Sequence, residues 1–109
     1  MFKKENRLGF GIRFNNSAFS IPEFILKAKE NGLTLNRFGI VVSKKIDKRA
    51  VVRNRIKRIF SQILVDLNKE MTSGHDMLFI VRKGIIGKTS GQISLLIKQA
   101  LKKAKYLKK

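Results

Sequence analysis

Between Lys44 and Arg58 the sequence gathers Lys44, Lys45, Lys48, Arg49, Arg53, Arg55, Lys57 and Arg58 against the single acid Asp47. Arg presents a planar fork that grips two phosphate oxygens, and Lys adds a mobile point charge. Asn54, set among them, donates and accepts toward a base edge or a ribose. Most Lys- and Arg-rich helix faces are solvated surface, and such faces usually intersperse Glu at four-residue spacing. No acid occurs from Arg49 to Val65, so repulsion within the segment goes uncompensated and a polyanionic partner is expected. Composition does not distinguish RNA from DNA.

The residues that protein-based catalysis would need are missing. The sequence has no Cys, which excludes disulfides, thiolate zinc sites and cysteine nucleophiles, and its one histidine, His75, has no second histidine for a relay. The seven acids, Glu5, Glu23, Glu30, Asp47, Asp66, Glu70 and Asp76, are scattered, with no D-x-D or H-E-x-x-H pattern among them. No catalytic residue and no protein metal site are expected. His75 reads as a loop residue.

The whole chain shares the charge of its central segment: 25 Lys and Arg oppose 7 Asp and Glu, a formal net charge of +18. A body of 109 residues with that charge carries a positive potential on every face, which suits nucleic acid or an anionic surface. The apolar runs are far shorter than the ~20 residues of a spanning helix. The N-terminus, Met1-Phe2-Lys3-Lys4-Glu5-Asn6, lacks a signal-type apolar region, so a cytoplasmic location and no membrane partner are expected. One domain over residues 1–109 fits the length, and 43% hydrophobic content with eight Phe supplies a core.

The elements that must position the basic segment follow from periodicity. Phe10, Ile12 and Phe14 alternate as in a short strand. Phe24 to Lys29 alternates Phe24, Leu26 and Ala28 with Ile25, Lys27 and Lys29, and ends at the turn signal Asn31-Gly32. A hairpin to a second strand, Arg37 to Ser43, is expected there. From about Arg49 to Leu67, Val52, Ile56, Ile59, Phe60, Ile63 and Leu67 recur at helical spacing, with Asp47 as the expected cap. At about 100° per residue, Asn54 points away from the Val52/Ile56/Ile63 stripe, with Arg53 and Lys57 on one shoulder and Arg55 and Arg58 on the other. Ser73-Gly74 breaks the pattern, Asp76 to Arg82 reads as a strand apolar on both faces, and Gly84 and Gly87 mark a loop. Thr89 and Gln92 have capping-box spacing before a second amphipathic helix running from Ile93 to Leu107.

Two segments, Arg37-Phe38-Gly39-Ile40-Val41-Val42-Ser43-Lys44-Lys45 and Ala50-Val51-Val52-Arg53-Asn54-Arg55-Ile56-Lys57-Arg58, closely resemble the signature of the bacterial ribonuclease P protein family. A looser resemblance runs from about Phe24 to the C-terminal helix. It implies an α+β fold with a four-stranded sheet, packed helices and a left-handed βαβ crossover, where general topology rules favour a right-handed one. It implies a protein subunit, monomeric within its ribonucleoprotein, that binds a catalytic RNA and the 5′ leader of precursor tRNA. The RNA cleaves, using Mg²⁺ bound mainly by the RNA. By the same resemblance Arg53, Asn54, Arg55, Lys57 and Arg58 face RNA, flanked by Lys44, Lys45, Lys48 and Arg49.

Two departures stand out. Family members commonly carry a further Arg one turn after Arg58, where this chain has Ser61, and the stretch from Leu8 to Glu23 does not show the family's Phe-bearing first helix. Phe10, Phe14 and Phe19 are the candidates for stacking on a single-stranded leader, although aromatics are most often core. A structural RNA-binding protein of the ribosomal type is the alternative that the charge equally allows. A self-sufficient nuclease is disfavoured by the absent acid and histidine clusters, and a membrane-surface role by helices committed to a core.

Overall fold

Residues 17–108 are described by the computed structural model. In chain order they form β1 (Ser17–Ser20), β2 (Phe24–Glu30), β3 (Arg37–Val41), α1 (Ala50–Leu67), β4 (His75–Val81) and α2 (Ser90–Lys103), with short 3₁₀ turns at Asn68–Glu70 and Lys83–Ile85. The expected strand at Phe10 to Phe14 lies outside the described residues.

The strands form one mixed sheet in the order β1-β2-β4-β3. β4 runs antiparallel to β2, from Phe24↔Val81 to Glu30↔His75, and parallel to β3, from Arg37↔Asp76 to Val41↔Ile80. The expected hairpin between β2 and β3 is therefore wrong, because β4 lies between them. The turn at Asn31-Gly32 does form, with Gly32 at φ 72° and the Leu33 N–H donating to Asn31 Oδ1 at 2.7 Å. Asn31 is tied to the far end of the chain instead: its backbone N–H donates to Gly74 O at 2.9 Å and its amide to Asp76 Oδ1 at 3.0 Å. β4 lies between β2 and β3, with Met77, Phe79 and Val81 buried in the core and, on its opposite side, Asp76 buried and Leu78 and Ile80 half-buried. His75, read as loop, is its first residue; the ring packs on Tyr106 with centroids 4.8 Å apart.

Phe24, Leu26, Phe38, Met77, Phe79 and Val81 share one face of the sheet, where α1 contributes Ile56, Phe60 and Leu64 and α2 contributes Ile93, Ile97 and Leu101 to a single buried core. Phe24, Phe60 and Phe79, none of them exposed, meet with centroids 5.5–5.8 Å apart, within the range of favourable edge-on and tilted contacts. The other face shows Ile25, Lys27, Lys29, Arg37, Gly39, Val41, Leu78 and Ile80, and no described helix covers it. β3, α1 and β4 make the βαβ unit that the resemblance implied. Gly84 fastens the turn after β4 to the one before β2: its N–H donates to Pro22 O, and a Cβ there would fall 2.4 Å from that oxygen.

α2 begins with the expected capping box, in which the Gln92 N–H donates to Thr89 Oγ1 and the Thr89 N–H to Gln92 Oε1. It ends at Lys103, four residues before the expected Leu107. Lys105 adopts φ 65°, its N–H donates to Lys102 O, and the Tyr106 N–H donates to Leu101 O at 2.8 Å, a Schellman ending. The reversal lets Leu107 bridge Met71, while the Thr72 N–H donates to Tyr106 O. A Cβ in this left-handed conformation is strained, so Lys105→Gly is expected to raise stability by about 0.5–1 kcal/mol. Urea denaturation checks it: a midpoint at or below the parent's would show no strain to relieve.

Candidate nucleic-acid interface

The basic segment is held by its own loop. Asp47, the expected cap of α1, is not its N-cap; Arg49 is, and its side chain makes no cap hydrogen bond. Asp47 acts one step earlier: Oδ1 accepts the Arg49 N–H at 2.8 Å and the carboxylate holds the Arg49 guanidinium at 3.0–3.1 Å. These hydrogen bonds hold the Asp47 carboxyl below its ordinary range. Arg53 Nη1 donates to Asp47 O at 3.0 Å and to Lys48 O at 2.8 Å, locking the loop onto the first turn of the helix. Ile46 anchors it from below, packed against the core.

The nine residues expected to meet RNA therefore divide. Arg53 is half-buried and turned to the loop carbonyls. Lys44, Lys45 and Lys48 are exposed on the loop with Arg49; Asn54, Arg55, Lys57 and Arg58 are exposed along α1. Among the described residues none of the cations of α1 lies within 4.0 Å of a carboxylate oxygen, and the first turn of the helix holds no acid. The positive end of the helix dipole lies beside this cluster, with Asp47 as the one carboxylate near it among the described residues, already bound to Arg49. Ser61, where the family commonly has Arg, is buried at 6% exposure and presents nothing to a partner. Arg55 and Arg58 also border a groove of about 610 Å³ between α1 and the first turns of α2.

The sheet face opposite the core carries cations that sequence reasoning did not single out. Lys27 pairs in register with Leu78, and Lys29 with Asp76, which pairs in turn with Arg37. Asp76 is 1% exposed and takes a bidentate bond from Arg37, 2.7 Å on each oxygen. The only acid in an apolar strand was the available signal; its partner, 39 residues away, was not. Phe19 lies on the opposite side, paired with Leu26, packed on Phe24 at 6.4 Å and beside Gln99, Lys102 and Lys103. Phe10 and Phe14 are outside the described residues. Among the described residues no three His, Cys, Asp or Glu come together as metal ligands, and no helix is long and apolar enough to cross a membrane.

Residues 3–105 match the profile of the family described as Ribonuclease P. The chain belongs to the ribonuclease P protein family. The ribonuclease P protein component of Clostridium kluyveri is 38% identical over 104 residues, covering 93% of this chain and 91% of its own length. That of Brevibacillus brevis is 33% identical over 106 residues, with 96% and 83% covered. The fold agrees: the Staphylococcus aureus RNase P protein superposes with a TM-score of 0.75 at 29% identity, over 82% of this chain and 81% of that one. Residues 17–108 thus share the family's α+β architecture, with the Arg53–Arg58 motif on α1.

Proposed function

We infer that the chain is the protein subunit of ribonuclease P, an endoribonuclease that removes the 5′ leader of precursor tRNA, with catalysis carried by its RNA partner. The observation that carries this reading is the acid-free face of α1, in a chain that belongs to the family. Asn54, Arg55, Lys57 and Arg58, with Lys44, Lys45, Lys48 and Arg49 of the loop, dock on the catalytic RNA through its phosphates and riboses. Arg53 shapes the loop that presents them. The precursor's leader lies on the sheet face opposite the core, where Lys27 and Lys29 meet phosphates and Ile25, Leu78 and Ile80 offer apolar contact to bases. Mg²⁺ held mainly by the RNA supplies the activated water, and the protein works as a cytoplasmic monomer within the ribonucleoprotein.

Reconstitution tests this directly. Adding the chain to a bacterial ribonuclease P RNA at low Mg²⁺ is expected to increase precursor tRNA cleavage and to favour precursor over mature tRNA in binding. Unchanged cleavage would refute the assignment, and equal affinity for both RNAs would favour a purely structural RNA-binding role.

A further inference from the structure

The groove between the two helices has a composition that a charged surface alone does not require. Its walls are Arg55, Arg58, Ile59, Gln62 and Ile63 of α1 and Ser90, Gly91 and Ser94 of α2. At about 610 Å³ it falls within the range of small-ligand sites. Ile59 and Ile63 are only partly buried, so they leave an apolar strip at its floor. α2 keeps its first turns narrow: a Cβ added at Gly91 would meet nothing nearer than Thr89 Oγ1 at 3.9 Å. The capping box engages the Thr89 and Gln92 side chains, and Ser90 and Ser94 are the polar residues of α2 that line the groove. The Gln62 amide nitrogen donates to Asp66 Oδ1 at 3.1 Å, and that choice leaves its oxygen to accept from a ligand.

An anion at the arginines, a flat apolar body on the isoleucines and hydrogen-bonding edges at Gln62 and Ser94 together describe a nucleotide. The groove is continuous with the cationic face of α1, so the nucleotide belongs to a longer RNA and not to a free metabolite. We propose that the α1–α2 groove receives one unstacked nucleotide of the RNA partner, with its phosphate gripped by Arg55 and Arg58 and its base lying on Ile59 and Ile63. This rests on the reading of α1 as the RNA-docking helix, and adds that docking reads the shape of one extruded base besides the phosphate path. Single-stranded and bulged positions, whose bases can be splayed out, are the RNA elements that fit.

The test fills the groove without removing a charge. Ser94→Leu and, one turn back, Ser90→Leu each put an apolar side chain where the base would lie while Arg55 and Arg58 stay in place. With the fold verified by circular dichroism and thermal melting, each is expected to weaken binding to ribonuclease P RNA roughly tenfold, the scale of one base contact. The slope of log K against log[salt] is expected to stay that of the parent, because the phosphate contacts remain. One base of the RNA, shielded from chemical modification by the parent chain, should become reactive with either variant. Parent-like affinity of both folded variants overturns the proposal while leaving the docking helix intact. A weakened complex with a reduced salt slope and no newly reactive base also overturns it, since only phosphate contacts were then disturbed. Failure of the parent chain to bind the RNA overturns the functional reading and this proposal together.

Discussion

Asp76→Ala is expected to cost about 3 kcal/mol of folding stability, at the lower end of what breaking a buried ion pair does. Asp76 is 1% exposed and holds both the Arg37 guanidinium and the Asn31 amide. Its removal leaves the Arg37 guanidinium without its carboxylate, while the Asn31 amide keeps only its bond to Leu35 O. The lower end applies because Arg37 is 30% exposed and regains some water. For a domain of this size the melting temperature should fall by on the order of 10–20 °C, measured by thermal unfolding at neutral pH. A loss below about 1 kcal/mol, the worth of a surface pair, would show that the pair is not holding β3 to β4.

The same carboxylate gives the expectation a pH signature. Burial alone would push the Asp76 carboxyl upward, but the hydrogen bonds from Arg37 and Asn31 and the charges of Arg37 and Lys29 outweigh it and hold the group below its ordinary value. A depressed folded value means that the unfolded chain takes up the proton first. The stabilisation is complete above the unfolded pKa of about 3.9 and drains away as the pH falls through the lower folded value. Parent and Asp76→Ala stabilities should therefore converge below about pH 4. A gap that widens there would reverse the assigned sign.

The second large effect concerns binding. Replacing Arg55, Lys57 and Arg58 together by Ala removes three exposed cations that have no carboxylate partner among the described residues. If each neutralises one phosphate, the salt slope of RNA binding should drop by roughly 2–3 in total. Affinity at low salt should fall on the order of a hundredfold, taking about 1 kcal/mol per contact, the typical net worth of a hydrogen bond. Stability should hold or rise, because Ala is the best helix former and the repulsion along α1 is relieved. Precursor cleavage in the reconstituted system should then be recovered by raising the protein concentration. An unchanged slope would mean that these side chains do not face phosphates.

Much of this was legible from local pattern. The alternations at Phe24 to Lys29 and Arg37 to Ser43, the three- and four-residue recurrence from Val52 to Leu67, and the Thr89/Gln92 box all express constraints that act within a few residues. β1 was not legible, because Ser-Ala-Phe-Ser holds one large apolar side chain and its pairing comes from β2. The false hairpin had the same origin. Asn31-Gly32 is a genuine turn, but a turn does not say which strand comes to lie beside which, and β4 competes from more than forty residues away. A stripe through Val52, Ile56 and Ile63 places Arg53 among the outward residues. The burial of Phe60 and Leu64 turns the inward side of α1 toward Arg53, which then reaches the loop carbonyls. The groove beside Arg55 and Arg58 depends on how two helices diverge, and no single segment encodes that.

The central place of β4 sets an order in time. β2 and β3 have no partner in each other, and α1 has no complete sheet to lie on until residues 75–81 have been made. β1 and β2 pair locally, but the pairings of β4 with β2 and β3 are non-local, which slows folding and leaves the sheet beneath α1 incomplete until β4 is made. A nascent chain that stops short of His75 carries the whole cationic motif without the platform that displays it. Such a chain has the charge of the finished protein but not the sheet that fixes the orientation of α1.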